Sequence, residues 1–329
     1  MWLYLAALLV LYVLRRWYRE QQMVGNLPDK HVFITGCDSG FGHLLAKQLD
    51  GRGLRVLAAC LTEQGAERLQ QATSWRLQTV ILDVTCSDSI AAATAWVKGQ
   101  VGDQGLWGLV NNAGVFGCVC HNEWLSKADF TRVLDVNLVG LIEVTLSLLP
   151  LVRRARGRIV NVTSIGGRLS VNGGGYCISK YGVEAFSDSL RRELHNFGVK
   201  VSIIEAGAFR TAMSTSQDIL SSLEQVWSSA PAEVKEAYGE QYFNRCESEW
   251  QVPGPRCGES PAPVPAAAMV PRLPLGFPVP CAACSHSPAQ LGCSQPDFLS
   301  AQTLRPPESS SASYLVTTSA WPPMPWSTR

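Results

Sequence analysis

Lys30–Gly42, KHVFITGCDSGFG, reads as a short buried strand running into a glycine turn, with a helix following from about His43 to Arg52. A strand, a glycine-rich loop and a helix in that order bring backbone N–H groups and a helix N-terminus up to a pyrophosphate. The turn residues Gly36, Cys37, Asp38, Ser39, Gly40, Phe41 and Gly42 are the candidate cradle. A second strand, Leu54 to Cys60, follows at the distance of a parallel β–α–β unit. The predicted class is therefore α/β, a Rossmann-like doubly wound parallel sheet in a single domain.

The second strand ends in Cys60-Leu61-Thr62, with no carboxylate for the adenosine ribose and no Arg or Lys for a 2′-phosphate. Asp38 in the turn would repel an extra phosphate, so NAD is expected over NADP. A third strand, Leu77 to Leu82, ends at Asp83-Val84, where a carboxylate can accept from the adenine amino group. A fourth ends in Asn111-Asn-Ala113-Gly114, whose small residues and amides let the backbone approach a nucleotide closely.

Further on, Ser164–Lys180, SIGGRLSVNGGGYCISK, places a Ser at a strand end, Tyr176 twelve residues later and Lys180 one helical turn beyond. A free phenol, with a pKa of about 10, is a poor base at neutral pH. A neighbouring ammonium favours the phenolate, and Ser164 can hold a substrate oxygen against it. Asp129 to Arg153 reads as one amphipathic helix with Asn137 on its apolar side, a residue that needs partners if buried. Asn161 matches a glycosylation sequon but lies in the buried fifth strand, so it is read as unmodified.

Composition narrows the classes. The 329 residues carry a net charge of +1, which gives no reason to expect nucleic acid. Eleven scattered cysteines fit reduced thiols better than a disulfide framework, and Cys281, Cys284, His286 and Cys293 sit in Pro-rich sequence that argues against a metal site. Met1 to Leu14 is apolar and is followed by Arg15 and Arg16, so residues 1–20 are expected to form an uncleaved membrane anchor with the catalytic domain on the cytosolic side. Residues 220–243 read as a helical cover. From about Cys246 the pattern changes: sixteen of the nineteen prolines lie beyond Gln251, and residues 246–329 are expected to be a disordered tail.

Together the motifs resemble the short-chain dehydrogenase/reductase superfamily: Thr35–Gly42, Asn111–Gly114, Asn137, Ser164 and the Tyr176/Lys180 pair. Residues 34–42, 106–114, 173–177 and 184–192, with the apolar N-terminus, look most like the membrane-bound retinol and hydroxysteroid dehydrogenases. The resemblance covers about residues 1–245. It implies Tyr176 as acid/base, Lys180 as the group lowering its pKa and binding the nicotinamide ribose, Ser164 as the substrate-oxygen contact and Asn137 as support for a proton-relay water. It also implies Thr211 as a carboxamide contact, an endoplasmic reticulum membrane location, a lipophilic alcohol substrate and a possible homodimer. Two departures stand out. Ala206-Gly207 replaces the family's Pro-Gly, and nothing after Cys246 resembles the family's last edge strand and pocket-closing helices. A catalytically impaired variant that binds nucleotide or a partner is the competing expectation.

Overall fold

The computed structural model describes residues 2–20, 24–170, 173–207, 209 and 216–251. Thr211 and the stretch from 252 to 329 lie outside them. Six parallel strands form one sheet: β1 (His31–Ile34), β2 (Arg55–Cys60), β3 (Leu77–Ile81), β4 (Gly108–Asn111), β5 (Arg158–Ser164) and β6 (Lys200–Ala206). Their order is β3-β2-β1-β4-β5-β6, so the chain reverses direction across the sheet between β1 and β4. Crevices for ligands open at such a switch point, beyond the strands' C-terminal ends.

Side-chain alternation along the strands builds two cores. Val32 and Ile34 join Val56, Ala58 and Cys60 on one face, under α2 (Gly40–Gly51) and α3 (Glu63–Gln71). Phe33, Leu57 and Ala59 face the other way, under α4 (Ser87–Val101), α6 (Leu141–Arg154) and α7 (Gly175–Glu193). Among the described residues, β6 has a neighbour on one side only, and its last residue, Ala206, lies opposite Ser164. Ala206 thus prolongs the strand beside the site; a proline there would bring no N–H to the ladder.

Two helical readings need revision. The single helix expected over 129–153 is α5 (Lys127–Leu134), a π-turn (Asp135–Gly140) and α6. By length and composition, Lys127–Arg154 is the one helical run among the described residues apolar enough to cross a membrane; its burial against α4 and β4 makes it a core element. The cover expected over 220–243 is α8 (Ser216–Ser229), α9 (Ala232–Tyr238) and α10 (Glu240–Gln251). Pro231 caps the start of α9, and Gly239, at φ 75, separates α9 from α10. Helix therefore continues to Gln251, past the expected change at 246. The first helix, α1 (Trp2–Glu20), leaves Leu8, Leu9, Leu11 and Leu14 exposed.

Candidate active site

The glycine turn is clasped to β4. Thr35 Oγ1 accepts from the N–H groups of Asn112 and Ala113, both at 3.0 Å. Asn112 Nδ2 donates back to the carbonyls of Thr35 (2.9 Å) and Gly36 (3.0 Å). Two glycines allow this closeness. A Cβ on Gly36, at φ +70, would lie 2.7 Å from Ala113 Cα, and one on Gly42 would lie 2.3 Å from the Gly36 carbonyl oxygen. Gly40, at φ +60, faces open space.

Ser39 occupies the N-cap position of α2 but makes no side-chain capping bond to the helix's first N–H groups. An uncapped helix start behind a turn that side chains would fill fits the pyrophosphate of a dinucleotide. Cys37 serves differently from expectation. Its N–H goes to the Ala59 carbonyl at 2.9 Å and its thiol to the Ile34 carbonyl at 3.3 Å. Burial pushes that thiol's pKa up, and the residue braces the turn from beneath.

Asp38 moves furthest from its sequence reading. Its carboxylate accepts from Leu61 N (2.8 Å), Thr62 N (3.0 Å) and Thr62 Oγ1 (2.7 Å). The end of β2, which has no acid of its own, thereby acquires one from a residue 23 positions earlier. Asp83, past β3, accepts from Thr85 N and Oγ1, and these bonds hold its carboxyl below the usual range. Val84 is buried beside it, its carbonyl so close to Gly140 that a Cβ there would sit at 2.3 Å.

Asn111 and Asn112 point opposite ways, as consecutive residues at a strand end should. Asn111 Nδ2 donates to Thr145 Oγ1 and Asn161 Oδ1, both at 2.8 Å, so this amide turns into the interior. Asn161 is fully buried and donates to Ser187 Oγ at 2.8 Å, which leaves the sequon no room for a glycan.

The candidate catalytic groups gather at the C-terminal end of β5. Ser164 Oγ accepts from Gly166 N at 3.1 Å and lies near enough to the Tyr176 phenol to pull its pKa down. Tyr176 stands in the first turn of α7, its ring 4.7 Å from that of Phe116. One turn on, buried Lys180 donates to the Val162 carbonyl at 3.0 Å, with Nζ 5.7 Å from the Tyr176 ring centre. The π-turn aims Asn137 inward: its Oδ1 accepts from Val115 N at 2.8 Å, and its Nδ2 donates to Val115 O (2.8 Å) and Ser179 Oγ (3.1 Å). Ser179 Oγ in turn donates to the Tyr176 carbonyl at 2.6 Å. Gly114 lets all this meet, since a Cβ there would lie 3.2 Å from Asn137 Oδ1 and 3.7 Å from Lys180 Nζ.

The electrostatics depart from the simple expectation. Burial pushes the Tyr176 phenol above its ordinary value, with the Ser164 hydrogen bond pulling the other way. Burial also brings Lys180 down to about 8. Desolvation, which disfavours the charged form of each group, leads in both.

Sequence reasoning missed Thr35, Asn112 and Ser179, and also Arg168, which pairs with Glu184 (2.8 Å) and Glu205 (3.1 Å) behind the site. Thr35 and Asn112 lie within quoted motifs, but a strand end alone does not show which side chains turn back on the backbone. On the substrate side, Trp124 is buried among Trp227, Tyr238 and Phe243, with ring centres 4.8, 5.4 and 6.2 Å away. That cluster fixes α8–α10 over the loop following β4.

A parallel sheet with a dinucleotide cradle at its switch point and a Ser–Tyr–Lys–Asn group beside it defines a nicotinamide-type oxidoreductase. The chain belongs to the short chain dehydrogenase family, whose model matches residues 30–219. It is 65% identical over 244 residues to human 17-beta-hydroxysteroid dehydrogenase type 6, covering 74% of this chain and 77% of that one. To human retinol dehydrogenase 16 it is 65% identical over 242 residues, covering 74% and 76%. Among solved structures, levodione reductase aligns with a TM-score of 0.55 at 25% identity, over 65% of this chain and 83% of that one. A short-chain dehydrogenase from Streptomyces avermitilis aligns at 0.52 and 33%, over 56% and 68%.

Proposed function

We propose that the chain is an NAD-dependent dehydrogenase that oxidises a lipophilic secondary or allylic alcohol, a retinol or a 3α- or 17β-hydroxysteroid, to the aldehyde or ketone. The observation that carries this reading is Ser164 at the end of β5 beside Tyr176 in the first turn of α7, with Lys180 one turn further on and its Nζ 5.7 Å from the Tyr176 ring centre. A bound nicotinamide dinucleotide supplies the hydride acceptor. Ser164 holds the alcohol oxygen, and the phenolate form of Tyr176 takes its proton. Lys180 and Asn137 keep the phenol's helix and the loop at Val115 in register, with Asn137 supporting a relay water. The raised pKa of the phenol makes oxidation climb with pH from neutrality upward, as the reactive phenolate fraction grows.

The Asp38 carboxylate at the end of β2 supports NAD over NADP, since it can accept from a ribose hydroxyl and repels a 2′-phosphate. The substrate class rests on the names of the relatives. Residues 1–20 are proposed as the membrane anchor, at the endoplasmic reticulum with the catalytic domain facing the cytosol; the exposed apolar side chains of α1 support this. Residues 29–245 are the proposed catalytic domain, and Thr211 is the proposed carboxamide contact.

The test is a thermal shift with NAD, followed by turnover of retinol and of a 3α-hydroxysteroid. Stabilisation together with turnover is expected, and Tyr176→Phe should lower kcat by about 10²–10⁴-fold without lowering Tm. Turnover that survives Tyr176→Phe defeats the catalytic assignment. Stabilisation by NAD without turnover of either substrate would establish the impaired variant instead.

A further inference from the structure

Gly65 is the third residue of α3, a position where alanine is the better helix former and glycine weakens the helix. A Cβ at this position would lie 2.4 Å from Asp38 Oδ1, 2.9 Å from its Cγ and 3.0 Å from its Cβ. Contacts that short require Asp38 to move as a whole, because its Cβ is tied to the backbone of the turn. The same residue also helps to hold the acid. Gly65 N–H donates to Thr62 Oγ1 at 3.0 Å, and that hydroxyl donates to Asp38 Oδ1 at 2.7 Å.

We propose that Gly65 is a positioning residue for cofactor choice. Its missing side chain lets the acid of the glycine turn lie across the end of β2, where the adenosine ribose is read. This rests on the NAD reading above and adds a determinant outside the turn. A carboxylate offers about four acceptor sites. Leu61 N takes one on Oδ2, and Thr62 N and Oγ1 take two on Oδ1, so one site on Oδ2 remains for a single ribose hydroxyl. The negative charge stays in place against a 2′-phosphate.

The experiment is calorimetric titration of NAD and NADP into the full-length chain, its Gly65→Ala and Asp38→Ala variants and the double variant. Gly65→Ala is expected to narrow the NAD-over-NADP affinity ratio about tenfold, the size of one charge-assisted hydrogen bond. The cofactor-free Tm should stay level or rise, because alanine favours the helix. Asp38→Ala is expected to narrow the ratio similarly, and adding Gly65→Ala to it should change the ratio no further. An unchanged ratio in Gly65→Ala, with Asp38→Ala narrowed, overturns the role of Gly65 alone. An unchanged ratio in Asp38→Ala overturns the NAD reading beneath it. Should Gly65→Ala lower Tm, Thr62→Val carries the test, since it releases the acid without a clash. A ratio left intact in Thr62→Val overturns the clamp, whereas a narrowed ratio restored by Thr62→Ser supports it.

Discussion

The nucleotide side and the substrate side of the cleft are held by different forces. Around the glycine turn, positions are set by directional bonds between single side chains and backbone: Thr35 and Asn112 across β1 and β4, Asp38 across to β2, Asn137 to both polar atoms of Val115. On the other side, α8–α10 are held chiefly by contacts between rings, with Trp227 and Phe243 stacked at 5.0 Å and 10° and two phenol hydrogen bonds, Tyr238 to Glu123 and Tyr242 to His121, at the rim. Directional bonds tolerate little displacement, whereas aromatic packing accepts many arrangements of similar energy. Hydride transfer needs a fixed geometry. The ring-packed cover does not, and it can be rebuilt without disturbing the cradle.

Trp124→Ala should be the largest blow to the packed side, costing about 3–5 kcal/mol and loosening α8–α10. Hydrogen exchange should rise over 216–251 while NAD affinity is retained. If NAD affinity falls in step, the two sides are one unit and the comparison fails. Next in size is a pH effect on the polar side. Burial brings the Lys180 ammonium of the folded chain down to about 8 from its ordinary 10.5. Between those values the unfolded chain binds more protons, so stability from this group rises with pH, by at most about 3 kcal/mol. Denaturant melts of wild type minus Lys180→Met should show that rise; a flat difference from pH 8 to 10.5 removes the buried-ammonium account. The raised phenol of Tyr176 works in the opposite sense above about pH 10, but both chains share it and it cancels. The smallest effect is Asn112→Ala, which deletes two bonds to the turn and should cost about 2 kcal/mol. It should weaken NAD while leaving the alcohol KM unchanged; a parallel rise in KM would show that the turn also shapes the pocket.

Much of the polar side was legible because its constraints are local. Buried strands ending in glycines, and a Tyr and Lys one turn apart, are patterns within a few residues of one another. The π-turn was not legible, since 135–140 is as apolar and periodic as an unbroken helix and the extra residue is demanded only by Val115 and Ser179. Asp38 was read as an acid in a turn because its partners, Leu61 and Thr62, come from the next strand. Spacing shows that an ammonium is near the phenol, but not that Lys180 is buried with its Nζ on the Val162 carbonyl. On the substrate side the breaks at Pro231 and Gly239 were visible residues whose effect was underweighted.

The π-turn also bears on which changes of chain length the family's core can absorb. Each helical residue advances the chain by about 100° around the axis. Removing one of residues 138–140 would let the segment close into an ordinary helix, with α5 and α6 still nearly in phase, and would remove the bulge that carries Asn137. A substitution in this stretch alters one side chain. A single-codon deletion would instead remove the bulge that brings one amide to Val115 and Ser179 together, so length here is as much a part of the site as identity.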